Sequence, residues 1–244
     1  MATAGTPVRF SNHNVDKSPS AQQFPWEQGV PVNPFWDDID WVTGIHFLGN
    51  FSDEERSELP IDPNSIAATN DKIKLLISLL DAKLANDETS AAPKSSAETQ
   101  PKAWRSLVLA KYVLQSRVGL VTEAGQSIRQ LVEHFGDSAD DVLKHCMADQ
   151  LVEEGGDYVR AEKIMGPLVA ALDGQMTRAS PQAIGGRRSL LRAVWKQGAS
   201  RRADAEGVVE EIRGSIRGMV GTKYEVYVKD EEEELGRVLV GLGK

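Results

Sequence analysis

Residues 180–220, SPQAIGGRRSLLRAVWKQGASRRADAEGVVEEIRGSIRGMV, hold two apolar stripes with a glycine between them. Ile184, Leu190, Leu191, Val194 and Trp195 follow a helical period, and so do Val208, Val209, Ile212, Ile216 and Val220. Each stripe covers one helix face, so each helix must bury it against a neighbour. Gly198 lies where the first helix ends or a tight turn forms. The stretch therefore predicts a helical hairpin.

The same frame recurs upstream. One copy runs Gly119, Val121, Ala124, Ile128, Leu131, a second Gly156, Tyr158, Ala161, Met165, Leu168, and the third Gly198, Arg202, Ala205, Val209, Ile212. In each, a small alanine lets two helices approach, and large residues four and seven positions later fill the space between repeats. Further helices are predicted over 139–152, with Val142, Leu143, Cys146, Met147 and Leu151 in its stripe, and around Leu235, Val238 and Leu239. Tyr224 to Val228 has weak strand character and reads as a connector.

Ser180-Pro181-Gln182-Ala183-Ile184, Leu190, Gln197-Gly198 and Ala205-Glu206 together resemble the tetratricopeptide repeat (TPR) family, in its kinesin-light-chain-like subtype. The resemblance covers roughly residues 104–220, and its repeats are degenerate. Where the family favours a small residue in the first helix, the second copy has Asp149 and the third Leu191, and Trp104 lies too far from Ala124 for the usual frame. The resemblance implies an all-α fold, a short stack of antiparallel helical hairpins forming a TPR-like α-solenoid. It also implies a groove, lined by the first helix of each pair, that binds extended peptides. Carried onto the third copy, that groove receives Arg188, Arg192, Trp195 and Lys196. The spacing alone puts Arg188, Arg192 and Lys196 on one helix face, where three cations favour carboxylates or an acidic peptide. The bland reading of the same stripe is a solvated charged face.

The N-terminal side is different. Residues 1–62 read as an irregular arm, with prolines at 7, 19, 25, 31, 34 and 60 and no sustained period. It carries Phe10, Phe24, Trp26, Phe35, Trp36, Trp41, Phe47 and Phe51, too many large aromatics for a solvated tail. Residues 63–86 read as a single amphipathic helix capped by Asn64, with Ile66, Ile73, Leu76, Ile77, Leu80 and Leu84 in its stripe. Residues 87–101, rich in Ser, Ala, Thr, Glu and Pro, read as a flexible linker, and 102–244 as the repeat domain.

Trp36-Asp37-Asp38-Ile39-Asp40-Trp41 is similar to the tryptophan–acidic peptides bound by kinesin light chain repeats. One reading is therefore an arm docked in its own groove, with Trp36 or Trp41 in a pocket and Asp37, Asp38 and Asp40 meeting Arg188, Arg192 or Lys196. The alternatives are aromatics that cover the apolar end of the stack, and an arm that binds another protein.

Composition excludes several classes. The net charge is −8 and the pI about 5.1, which argues against nucleic-acid binding through phosphate neutralisation. The whole excess of negative charge falls in the first 100 residues, with 15 acidic and 7 basic side chains; the rest has 21 of each. One cysteine permits neither a disulfide framework nor a multi-cysteine zinc site. The run from Leu75 to Leu80 is far short of the roughly 20 residues a membrane span needs, and Met1 to Asn14 lacks a signal-peptide core. No phosphate loop, metal spacing or nucleophile–base pair is legible: Asp38 and Asp40 lack the glutamate that would close a calcium loop, with Gly49 in its place. Ser18-Pro19 offers only a common phosphorylation pattern. The expectation is a cytoplasmic, non-catalytic interaction scaffold with no cofactor and no metal, whose partner is a protein or peptide. The second expectation is an assembly subunit that docks through the aromatic arm.

Overall fold

The computed structural model describes residues 8–10, 15–17, 29–89, 97, 98 and 100–244. Phe24, Trp26, Ser18-Pro19 and residues 90–96 of the expected linker lie outside them. The fold is all-α, with helices packed in chain order and one small ribbon of very short strands. The chain divides into two compact units between His134 and Phe135. The first hairpin of the expected 102–244 repeat domain thus belongs with the arm.

In the first unit, β1 (Val8–Phe10) pairs antiparallel with β2 (Val15–Lys17) and with β3 (Val30–Pro31), in the order β2-β1-β3. Two helices follow where no period was legible, α1 (Trp41–Leu48) and α2 (Asp53–Glu58). Their signal lies in their caps, because they are too short to show a stripe. Asp40 accepts from the Thr43 backbone N–H at 3.1 Å and from its hydroxyl at 2.6 Å. Ser52 and Glu55 form a reciprocal capping box. α3 (Thr69–Thr89) starts five residues later than the expected cap at Asn64. The Asn64 N–H bonds the Asp62 carboxylate and the Ala67 N–H faces the Ser65 hydroxyl, local bonds that compete with a helical turn. Ile66, expected in the helix stripe, is consequently 91% exposed.

α4 (Pro101–Arg117) and α5 (Val121–Phe135) complete this unit. Its core is the aromatic arm itself: Phe35, Trp36, Phe47 and Phe51 pack with Ile73, Leu76 and Leu80 of α3 and with Leu107, Ala110 and Leu114 of α4. The arm is not an appendage. α1 reaches β3 so closely that a Cβ on Gly44 would lie 3.1 Å from both Val30 methyls. Lys72, only 2% exposed, pins the arm to α3 by donating to the Pro34 carbonyl at 2.7 Å and to Asp38 at 3.0 Å.

The second unit stacks α6 (Asp141–Glu153), α7 (Tyr158–Met176), α8 (Pro181–Lys196), α9 (Arg202–Arg217) and α10 (Val228–Gly241). The segment expected as an extended connector forms a short 3₁₀ turn at Glu225–Tyr227. α8 is the hub, packed against α6, α7, α9 and α10. A Cβ on Gly186 would lie 3.2 Å from Leu172 and 3.3 Å from Val169, so glycine sets the α7–α8 spacing. Arg187, 2% exposed, joins three helices: it forks onto Asp173 at 2.8 and 2.5 Å and lies 3.5 Å from Glu211.

The repeat frame is visible in the burial. Ala124, Ala161 and Ala205 are all completely buried, and so are or nearly are Ile128, Leu131, Met165, Leu168, Val209 and Ile212. The turn glycine of the second copy is Gly155 at φ 73°, not the expected Gly156; Gly119 at φ 73° and Gly198 at φ 104° hold the corresponding places in the others.

Candidate functional site

The expected basic stripe lies on α8, but its three cations have different surroundings. Arg188 is four-fifths buried and pairs with Glu231 of α10. Glu231 is itself sealed, and burial raises its pKa above the ordinary carboxylate value, with Arg188 pulling the other way. Arg192, one turn on, pairs with Glu153 of α6 and lies 3.6 Å from Asp149. Lys196 is exposed and has no ion partner among the described residues. The stripe thus runs from a closed end to an open one.

Trp195, expected in the groove, is 8% exposed and structural. Its Nε1 donates to the Leu242 carbonyl at 3.1 Å, and the Arg202 guanidinium stacks on its ring at 3.6 Å. The first contact fastens the end of α10 to α8, and the second holds the start of α9 there.

At the open end is a cleft of about 480 Å³ between the end of α6, the start of α7, α8 and the last turns of α10. Val152, Tyr158, Val238 and Leu242 give it apolar surface; Arg192, Lys196 and Arg237 give it three cations against the one carboxylate of Glu153. Arg237 is exposed and bonds Glu234 at 2.7 Å on its own helix, a pairing that solvent and competitors weaken readily. Sequence reasoning missed Arg237, Tyr158 and Leu242. Helical period locates Tyr158 and Arg237 on their own elements, but only the packing of α7 and α10 against α8 brings the three beside Lys196.

The acidic arm is engaged elsewhere. Trp36 is 4% exposed, 5.1 Å from the Phe35 ring and 6.1 Å from Phe47. Asp38 meets Lys72, and Asp40 caps α1 and lies 3.1 Å from Arg117. Asp38 and Asp40 thus make ion pairs inside the first unit. Arg188 and Arg192 find their carboxylates inside the second. Asp37 is exposed, and Trp41 packs half-buried on the first unit's core.

One cluster has the residue types of a hydrolytic triad. His145 Nε2 lies 2.8 Å from the Ser189 hydroxyl and 3.5 Å from the Asp149 carboxylate. Both approach the same ring nitrogen, whereas a proton relay needs the serine and the acid on opposite nitrogens. Among the described residues, no group of three or more His, Cys, Asp or Glu is placed to hold a metal ion, and no helix is long and apolar enough to cross a membrane. Compared with protein families, curated proteins and solved structures, the chain matches no family model, no curated protein and no solved structure.

Proposed function

We propose that the protein is a non-catalytic, cytoplasmic interaction scaffold that binds an acidic peptide segment of a protein partner in the cleft beside Lys196. The observation that carries this reading is the exposed Lys196 ammonium next to Arg192 and Arg237 over apolar surface. Cations of this kind select carboxylates, and the apolar surface takes a large side chain between them. The resemblance of 104–220 to TPR-like repeats supports the same reading, with the site displaced toward the end of α8 and shared with α10. The buried state of Phe35 and Trp36 counts against an arm that offers those two rings to a larger complex.

The test is a fluorescence anisotropy titration with a labelled peptide carrying tryptophan among aspartates. The expected result is binding that weakens with salt. Lys196→Glu combined with Arg237→Glu should lower affinity about tenfold or more, the loss of at least one good charge contact. Equal binding of a peptide with Asn for Asp, or no change in the double variant, would rule this site out.

A further inference from the structure

α10 is the least buried long helix of the second unit. Each of α6, α7, α8 and α9 buries at least four apolar side chains, whereas α10 buries Leu235 alone, together with Glu231. Val238 and Leu239 are half-buried, and Val240 is 75% exposed. The buried carboxylate is a poor anchor. Glu231 gives up water for its pair with Arg188, and such a pair roughly breaks even against its desolvation. Asp230 and Glu234, on its own helix, act against its charge. Gly236 weakens the helix itself, and a Cβ there would meet nothing within 4 Å, so packing does not ask for glycine.

The firmer anchors lie at the two ends. Tyr224 and Tyr227, 5% and 2% exposed, hold the turn before α10, so release begins at Val228. Beyond the helix, the Leu242 carbonyl accepts from Trp195, and Lys244 pairs with Glu206 at 3.2 Å on the surface, where ion pairs exchange readily. A helix of fourteen residues is marginal in water once it leaves its support. Docking and helix formation in α10 are therefore one event, held by few contacts.

The same helix is a wall of the cleft beside Lys196. α10 and the residue after it supply Arg237, Val238, Gly241 and Leu242, and α8 supplies Arg192 and Lys196. We propose that α10 is a lid that opens from Val228 onward, and that an acidic segment bound between Lys196 and Arg237 closes it. A carboxylate that pairs with both cations ties α10 to α8. Such a ligand binds the docked state better than the released one, and whatever loosens α10 weakens the ligand in return. The closing role of the ligand rests on the acidic-peptide reading above, and the opening of α10 does not.

Hydrogen exchange with mass spectrometry on the full chain, free and with the peptide carrying tryptophan among aspartates, tests this. In the free chain the amides of α10 should exchange ahead of those of α9, and the peptide should slow α10 about fivefold or more. Leu235 lies outside the cleft, yet Leu235→Ala should speed exchange in α10 and raise the peptide Kd about tenfold, because only the docked fraction binds. Gly236→Ala should slow exchange in α10 about fivefold, the worth of alanine over glycine within a helix, and it carries the test if Leu235→Ala fails to fold. The proposal is overturned by α10 amides that exchange only together with α9, by a bound peptide that leaves α10 unchanged, or by unaltered peptide affinity in a folded Leu235→Ala chain. Opening of α10 ahead of α9 in a chain that binds no peptide would instead overturn the acidic-peptide reading and support the lid alone.

Discussion

Gly186 and Gly174 lie on adjacent helices and respond to added side-chain atoms in opposite ways. At Gly186 the first added carbon lands 3.2–3.3 Å from Leu172 and Val169, tighter than a packed interior tolerates without movement. Gly186→Val should therefore cost about 1–3 kcal/mol, by overpacking the α7–α8 contact. At Gly174 a Cβ meets nothing within 4 Å and the backbone is helical, so Gly174→Ala should add about 0.5–1 kcal/mol. Urea unfolding followed by circular dichroism measures both; similar values of one sign for the two would sink this account. Neither outcome is legible in the sequence, where Gly186 falls among the apolar residues of one helix and Gly174 just past the stripe of another. The same holds for the basic stripe. The spacing of Arg188, Arg192 and Lys196 puts them on one face, but the carboxylate partners of Arg188 and Arg192 lie 39 to 43 residues away and belong to packing.

At the scale of elements, long helices with a stripe were legible and short ones were not. α6 to α9 fall within a few residues of their expected bounds, because four or five large apolar residues on one face leave no other regular structure that buries them all. α1 and α2 are set by caps and by docking onto α3 and α4, neither of which has a periodic signal. α1 also carries a titratable group into a partly buried place. Burial lowers the His46 pKa below its usual 6.5, and the Asp40 carboxylate only partly offsets this. The unfolded chain then binds a proton more readily than the folded one, so the contribution is present above 6.5 and is lost as pH falls through the folded value. Stability of the first unit should fall as pH drops below 6.5, with a shallower slope in His46→Gln. Denaturant curves at several pH values for both proteins decide this, and parallel slopes would remove His46 from the explanation.

For the whole molecule, the sequence supports the helical class and the hairpin frame, but it assigned the aromatic arm to the wrong level of organisation. Phe35, Trp36, Phe47 and Phe51 are core residues of a compact unit, not a ligand carried on a tether. Their spacing among prolines has no period, so only burial identifies them. The two units also use the same device. Each has a long cationic side chain at its centre, Lys72 in one and Arg187 in the other, that ties separate segments together through oxygen acceptors. Such a group is costly to bury unless its partners are in place, which makes the surrounding arrangement specific as well as stable.

The seclusion of Lys72 also makes it a clock. An acylating reagent attacks free amines in water, and this amine meets water only when the segment around Pro34 and Asp38 lifts from α3. Surface lysines such as Lys74 and Lys196 should be modified at once, and Lys72 at a rate set by how often that segment opens. Peptide mass spectrometry against time would read that interval directly. Labelling of Lys72 as fast as of Lys74 would mean that the pin does not hold.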